Sequence, residues 1–516
     1  MNQQNLFEPI PLDRFQVLSH EELLEFVKLQ QKVNEQIIRE NQRLRALSEE
    51  LKEKTFLIED QYIVLRNKVF GKSSEKEGRP ASASDGDGSG KEKEPKPKRR
   101  KVQLPSERYP DATRIERHIE FKDVPDCKCC GDKLKDSGMT EDSEYLTVIP
   151  KQYIVIQQKR HKYGCDKCHG DIQTAPAPPR IKDGSAYSDE MMVDVVMTKY
   201  CDLIPVERYT KIAERSGVPD LPPQSLIEST HYVADFIRPA YWLLKDEILA
   251  NKVLNADETP HRMLEGDDKS NWYLWGFSST KSSYFEAHDT RSGDVASSFL
   301  KDSACEYLVS DVYSGYGKAV REANQWRLES ESGLPPIKNI YCNAHSRRRF
   351  KEAHDRFPEE AQFFIDQYKE IYRLEALTVD KPPDEILRIR WQMSPYFEDM
   401  REKGMELIPA YSTKSSLAKA MNYFLRNFKE LTAFLGNAAI PIDNNSQERL
   451  LRNPVIGRKT WYGTHSKRGA ETMAILFSIV ESCKLNGVNP REYLKHLIED
   501  LHQGKKPYTP ATFKAN

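Results

Sequence analysis

Apolar positions recur along this chain in different rhythms, each predicting a different kind of element. From about Ser19 to Phe70 they repeat in sevens. One row reads Leu23, Gln30, Ile37, Leu44, Leu51, Ile58 and Leu65. The companion row reads Val27, Asn34, Asn41, Ser48, Thr55, Tyr62 and Val69. A nearly aliphatic row beside one that is polar in its middle matches a coiled-coil seam, where buried Asn fixes register at a cost in stability. The spacing therefore predicts a coiled-coil helix over 14–70, started by a capping box of Ser19 and Glu22. The other reading of the same rhythm is an amphipathic helix packed on its own protein. So many sustained heptads favour self-association into a homodimer or higher assembly.

The rhythm collapses over 71–104, where Ser, Gly, Asp, Lys and Pro leave nothing to bury and predict a disordered basic linker. Short apolar runs punctuated by proline follow over 105–180, with β-formers such as Tyr153-Ile154-Val155-Ile156 predicting hairpins. Helical spacing holds over 181–249, and Arg208 to Phe236 has the outline of either a helix-turn-helix or an ordinary helical hairpin. Within 250–350, strands are predicted at 253–257, 272–277, 283–287, 307–311 and 337–342. Helical periodicity resumes over 351–440. The last segment, 441–516, ends in a helix pair at 469–484 and 490–502, the second opened by Asn489 and Pro490.

Composition narrows the function classes. Among 516 residues, 78 Lys and Arg face 79 Asp and Glu, so any footprint for nucleic acid must be local. Local clusters exist at Lys98, Arg99 and Arg100 and around Arg160. The longest apolar runs, near Ala474 to Phe477, fall far short of the ~18 residues a membrane helix needs. Met1 to Asn5 has neither a basic start nor an apolar run, so a secretory signal is not expected. A cytoplasmic, nucleoid-associated protein without a membrane partner is the expectation. The nine cysteines are clustered rather than spread. Cys127-x-x-Cys130 and Cys165-x-x-Cys168 have the form of two knuckles whose thiolates converge on a structural Zn2+, with Cys129 an extra candidate in the first. Such clustering fits metal binding in a reducing compartment better than disulfides.

Carboxylates carry the candidate chemistry. Asp257 and Asp311 each close an apolar strand, where α/β sheets present their sites. Each is followed by turn-forming residues, Glu258-Thr259-Pro260 and Tyr313-Ser314-Gly315. A third acidic group lies in Asp443-Asn444-Asn445-Ser446-Gln447-Glu448-Arg449, which opens a helix. Together these residues suit a site for two Mg2+ ions, with Mn2+ able to substitute. Arg449, Arg452, Arg458 and Lys459 beside the third carboxylate are candidates to hold a nucleic-acid backbone. Trp461 and Tyr462 are candidates either to stack on unpaired bases or to pack in the core.

Several motifs recur together in one family: Leu65-Arg66-Asn67-Lys68-Val69-Phe70-Gly71-Lys72-Ser73-Ser74-Glu75-Lys76, Ala256-Asp257-Glu258-Thr259-Pro260, Ser310-Asp311-Val312-Tyr313-Ser314-Gly315-Tyr316, Cys342-Asn343-Ala344-His345-Ser346-Arg347-Arg348-Arg349-Phe350 and Ile442-Asp443-Asn444-Asn445 with Glu448-Arg449. The chain from about residue 40 to 500 resembles the large transposase of the insertion-sequence sixty-six family. The resemblance implies a multidomain α+β chain: an N-terminal coiled coil, a zinc-ribbon-like β module, a helical DNA-binding block, and a ribonuclease-H-like α/β catalytic core with a helical insertion. It implies Asp257, Asp311 and Glu448 as the catalytic, magnesium-holding triad, Asp443 being the competitor for the third place. His345, Arg347, Arg348 and Arg349 match a family motif, with Arg347 and Arg348 as candidate DNA contacts; a buried strand-end histidine and a solvated helix face are the other readings. The implied partners are the element's DNA ends, target DNA and accessory proteins of the same element. A zinc- and DNA-binding regulator without chemistry is the alternative, and the retained carboxylate set discriminates against it.

Overall fold

The computed structural model describes residues 19–70, 104–136, 138–165, 172–264 and 271–514. The chain divides into two compact units. The larger comprises Met1–Ser74, Arg160–Ile212 and Asp220–Asn516, the smaller Glu75–Lys159 and Ala213–Pro219. Most of the predicted linker, together with Lys98, Arg99, Arg100 and Cys168, lies outside the described residues.

The smaller unit has little regular structure among its described residues. It holds a one-turn helix at Pro105–Arg108 and an isolated antiparallel bridge between Asp126 and Lys133. The hairpin expected through Tyr153-Ile154-Val155-Ile156 does not form, and Val155 is 99% exposed. β-propensity describes a fit to a pleated, half-buried surface, and this segment has neither a ladder partner nor a core to cover. The strands found near the cysteine motifs are β1 (Lys162–Gly164) and β2 (Ile172–Thr174), an antiparallel pair in the larger unit.

A five-stranded mixed sheet organises the larger unit. Its strands are β3 (Val253–Arg262), β4 (Asn271–Ser278), β5 (Ser283–His288), β6 (Tyr307–Ser310) and β7 (Lys338–Tyr341), in the order β5-β4-β3-β6-β7. These are the five strands the alternation predicts. The first three form an antiparallel meander, while β6 and β7 run parallel to β3. Side chains of a strand alternate between faces, and neighbouring residues of β6 accordingly enter different cores. Leu308 joins a cluster containing Trp275, Phe277, Phe285 and the C-terminal helices. Val309 joins one containing Phe350, Phe364, Tyr368, Phe397 and Phe424 from the helices that follow β7.

The register of β3 sets up the site. Its ladder with β6 ends at Asn255 opposite Val309, yet its ladder with β4 continues to Arg262. Glu258-Thr259-Pro260, expected as a turn, is therefore strand. Proline is tolerated there because β3 behaves as an edge strand beyond Asn255 and one side demands no donor. Asp257 sits in mid-strand, just past the point where the parallel pairing stops, rather than at a strand end.

Two devices hold this sheet in place. The helix Lys467–Leu485 is buried around most of its circumference, as an apolar helix inside a large domain should be. Its Ser478 and Ser482 hydroxyls accept hydrogen bonds from the backbone N–H groups of Phe285 and Ser283, at 2.8 and 2.9 Å. The outer edge of β5 is thereby covered, which removes an open template for aggregation. Buried arginines tie down the long connections. Arg327 donates to the carbonyls of Leu300, Ser303 and Cys305. Arg390 pairs with Glu375 and donates to the carbonyls of Phe434, Asn437 and Ile440, just before the chain re-enters the sheet region.

The N-terminal helix runs from His20 to Phe70 behind the expected capping box, with Glu22 accepting from the Ser19 N–H at 2.8 Å. Its seam residues Ile37, Leu44, Leu51, Ile58 and Leu65 are exposed. A different face docks, near the C-terminal end of the helix, on the rest of the larger unit, so the helix also packs on its own chain. Asp60 is buried and accepts from the N–H and hydroxyl of Ser416, both at 2.6 Å. Phe56 meets Phe357 edge-on at 5.9 Å, with the Arg356 guanidinium stacked over it.

Glu286 on β5 makes the fold sensitive to acid. Burial alone would raise its pKa, but hydrogen bonds and charge from His288, Lys245 and Tyr284 outweigh it and hold the carboxyl at about 2. A depressed carboxylate stabilises the fold fully above its unfolded value of 4.5, and that contribution is lost as pH falls toward 2. Glu286→Gln is expected to lower stability at pH 7 by roughly 3 kcal/mol. Urea midpoints measured from pH 7 down to pH 3 should show wild type and variant converging.

Candidate active site

Asp257, Asp311 and Glu448 arrive from three separate elements. Asp257 lies on β3, Asp311 follows β6 directly, and Glu448 stands in the first turn of the helix Asn445–Trp461. Burial pushes the Asp257 carboxyl well above the usual carboxylate range, and the charges of Glu258, Asp311 and Glu448 push it further. Asp257 thus lies within electrostatic reach of both Asp311 and Glu448. Asp311 is raised as well, by burial and by Glu258, with His345 and Arg291 opposing. One of its oxygens, Oδ1, is buried without a hydrogen-bond partner among the described residues.

Asn444 places the third carboxylate. Its side chain does not cap the helix that follows but reaches back to the sheet. The Asn444 amide donates to the Ala256 carbonyl at 2.9 Å and accepts from the Asn255 amide at 2.8 Å. The Asn444 backbone N–H donates to Cys342 Sγ at 3.2 Å. These bonds fix the helix start to β3 one residue before Asp257. Asn343 supports the same junction by donating to the carbonyls of Leu431 and Ile442. Asp443 has other partners: it accepts from the Tyr372 hydroxyl and from the backbone and side chain of Asn445. Glu448 instead lies 3.7 Å from the Nδ1 of His345.

Glu258, read from the sequence only as part of a turn, is an organising group. Its side chain is buried and receives two hydrogen bonds from Arg291, at 2.8 and 2.6 Å, and one from Tyr316. The Arg291 guanidinium also stacks over Tyr313 at 4.2 Å. Sequence reasoning missed this group because its members come from β3, the loop after β5 and the helix Ser314–Glu329. The acidic residue beside Asp257 was the available signal.

Among the described residues, ligand atoms of Cys342, His345 and Glu448 lie within 4.8 Å of one another. Burial pushes the Cys342 thiol up to about 12, which disfavours the thiolate a metal requires. The hard oxygens of Asp257, Asp311 and Glu448 are the better fit to Mg2+ or Mn2+. Crowded acidic groups and an orphaned buried oxygen are what a bound cation would relieve.

The basic candidates have different surroundings. Arg449, Arg452 and Lys459 are exposed on the helix that carries Glu448. Arg458 is half-buried, and its guanidinium donates to the Thr259 hydroxyl at 3.4 Å. Arg347 lies over the Tyr372 ring at 5.4 Å, and Arg348 is half-buried. Arg160 donates to the Ala175 carbonyl at 2.6 Å. Trp461 packs edge-on against Tyr200, whereas Tyr462 is 72% exposed.

In the smaller unit, Cys127, Cys129 and Cys130 form a tight turn. The Gly131 N–H donates to the Cys127 carbonyl, and Gly131 has a φ of +82°, a left-handed conformation that suits glycine. Backbone N–H groups of Cys129 and Cys130 hold the Cys127 thiol below its usual pKa. A knuckle that favours the thiolate suits zinc. Cys165 follows β1 and is exposed.

Comparison with known proteins gives matches over the same regions. Residues 184–472 match the family model described as "Transposase IS66 family". Residues 125–169 match the zinc-finger binding domain of transposase IS66, and residues 478–508 match the IS66 C-terminal element. The chain is similar to three proteins of Sinorhizobium fredii (strain NBRC 101917 / NGR234). Uncharacterized protein y4hP is 25% identical over 76% of this chain and 73% of its own length. Uncharacterized protein y4jD is 27% identical over 73% of this chain and 75% of its own length, and y4qI is 27% identical over 76% and 73%. With more than half of its length matched by one model and flanking elements matched on both sides, the chain belongs to the transposase IS66 family.

Proposed function

We propose that this protein is a DDE-type transposase that cleaves the ends of an insertion sequence and joins them to target DNA. The observation that carries the reading is the acidic site itself, in which Asp257 feels the charges of Asp311 and Glu448. A pure DNA binder has no use for such a group, which costs stability while it stays together. The sheet order supports a ribonuclease-H-like core: an antiparallel meander, two parallel strands, and then a helical insertion before the helix bearing the third carboxylate.

Asp257, Asp311 and Glu448 are the residues that would hold divalent cations, Mg2+ with Mn2+ able to substitute. When bound, such cations supply positive charge for the attacking and leaving oxygens of a phosphodiester. The hydrogen bonds of Asn444 fix the distance of Glu448 from β3 before substrate arrives, a form of pre-organisation. Glu448 is preferred to Asp443 because the latter's oxygens are engaged by Tyr372 and Asn445. Arg449, Arg452 and Lys459, exposed on the helix that carries Glu448, would contact the DNA backbone, with Arg347, Arg348 and Arg458 as further contacts. The linker cluster Lys98, Arg99 and Arg100 adds sequence-independent phosphate binding. Structural zinc is assigned to Cys127, Cys130, Cys165 and Cys168. The exposed seam of the N-terminal helix would pair two protomers, which the joining of two DNA ends requires, and accessory proteins of the same element complete the set of partners.

With DNA carrying the element's ends and Mg2+, Asp257→Asn, Asp311→Asn and Glu448→Gln are expected to abolish strand cleavage, and Asp443→Asn to retain it. Without divalent cations, Asp257→Asn should raise the thermal midpoint, because it removes a buried acidic group crowded by Glu258, Asp311 and Glu448. Cleavage that survives Asp257→Asn would refute the catalytic reading. Elemental analysis of protein purified without added metal should find one zinc per chain, and Cys127→Ser should lose it. An equal zinc content in wild type and Cys127→Ser would contradict the assignment.

A further inference from the structure

The residue before Glu448 has no evident reason to be polar. Gln447 is fully buried, and neither its amide nitrogen nor its amide oxygen has a hydrogen-bond partner among the described residues. Leaving both ends of a buried amide unpaired is costly, and leucine or methionine would fill similar space without that cost. The position of the amide points to its purpose. A Cβ placed on Gly276 would collide with the Gln447 amide nitrogen, so the amide occupies the room a side chain at 276 would need. Gly276 is the direct cross-strand partner of Asp257. Side chains of directly opposed residues lie on one face with Cβ atoms ~4.5–5.5 Å apart. The amide therefore rests beside Asp257, on the face of the sheet that receives the Glu448 helix.

We propose that Gln447 is a positioning residue for Asp257. Its amide N–H would donate to the Asp257 carboxylate when the site holds a divalent cation, and so set the orientation of that carboxylate. One Asp257 oxygen, Oδ1, already accepts from the Glu258 N–H at 2.9 Å, and Gln447 would orient the other. The absence of a side chain at Gly276 is what admits the amide. This inference rests on the proposed cation-holding role of Asp257.

The test measures Mn2+ binding to the full-length protein by calorimetry without DNA, alongside the metal-free thermal midpoint. Gln447→Leu is expected to keep or raise that midpoint, since it removes an unpaired buried amide. Its Mn2+ affinity should weaken roughly 10-fold, as is typical when a ligand loses its outer partner. The Mg2+ concentration for half-maximal cleavage should rise in parallel. Affinity within twofold of wild type in folded Gln447→Leu overturns the proposal. If that variant does not fold, the double variant Gly276→Ala/Gln447→Ala, whose added methyl takes up part of the amide's space, should show the same weakening, and unchanged affinity again overturns it. Asp257→Asn separates this failure from a failure of the site. Wild-type protein that does not bind Mn2+, or an Asp257→Asn variant that binds it as well as wild type does, removes the cation-holding role and this proposal with it.

Discussion

Like charges in buried surroundings repel one another, and Asp257 is held near Asp311 and Glu448 against that repulsion. What opposes it is mainly the hydrogen-bonded junction around Asn444. The Asn444 side chain bonds to Asn255 and Ala256 on β3, its N–H bonds to Cys342 after β7, and Asn343 bonds to the carbonyls of Leu431 and Ile442. The junction is buried, so its hydrogen bonds are not traded for water, and breaking one leaves an unpaired polar group inside. Every chemical role proposed for the carboxylates assumes this junction.

The rest of the larger unit can be understood as support for it. The early end of the β3–β6 ladder leaves room for Asp257 and Asp311. Glu258 is paired with Arg291 and fixed by Tyr316, so a fourth carboxylate beside the site is kept off the surface. Arg390 gathers three carbonyls from the stretch that leads back to Asn444, and the long helical insertion can therefore return the chain to the sheet in one place. The serines of the helix Lys467–Leu485 close the opposite edge of the sheet. The docked end of the N-terminal helix connects the exposed seam to the insertion through Asp60 and Ser416.

The five strands were legible in the sequence because each follows from local pattern. Strands buried on both faces need continuous apolar runs, and an acid closing such a run, as Asp311 closes β6, stands out. The extension of β3 through Pro260 was not legible, because it depends on which neighbour keeps pairing after Asn255 and not on the segment's own composition. The failed strand at Tyr153-Ile154-Val155-Ile156 is the converse, with strong propensity and no partner. The groupings of Glu258 with Arg291 and Tyr316, and of Gln447 with Gly276, join residues far apart in the chain. Only the topology brings them into contact, so spacing carried no trace of them.

We propose that these carboxylates form one cation-holding site, and anomalous diffraction from crystals grown with Mn2+ would locate the bound ions. The expected result is two anomalous peaks about 3.5–4 Å apart, within coordinating distance of Asp257, Asp311 and Glu448. Peaks absent from this position, or a single peak held by Cys342 and His345 with the aspartates unengaged, would contradict it.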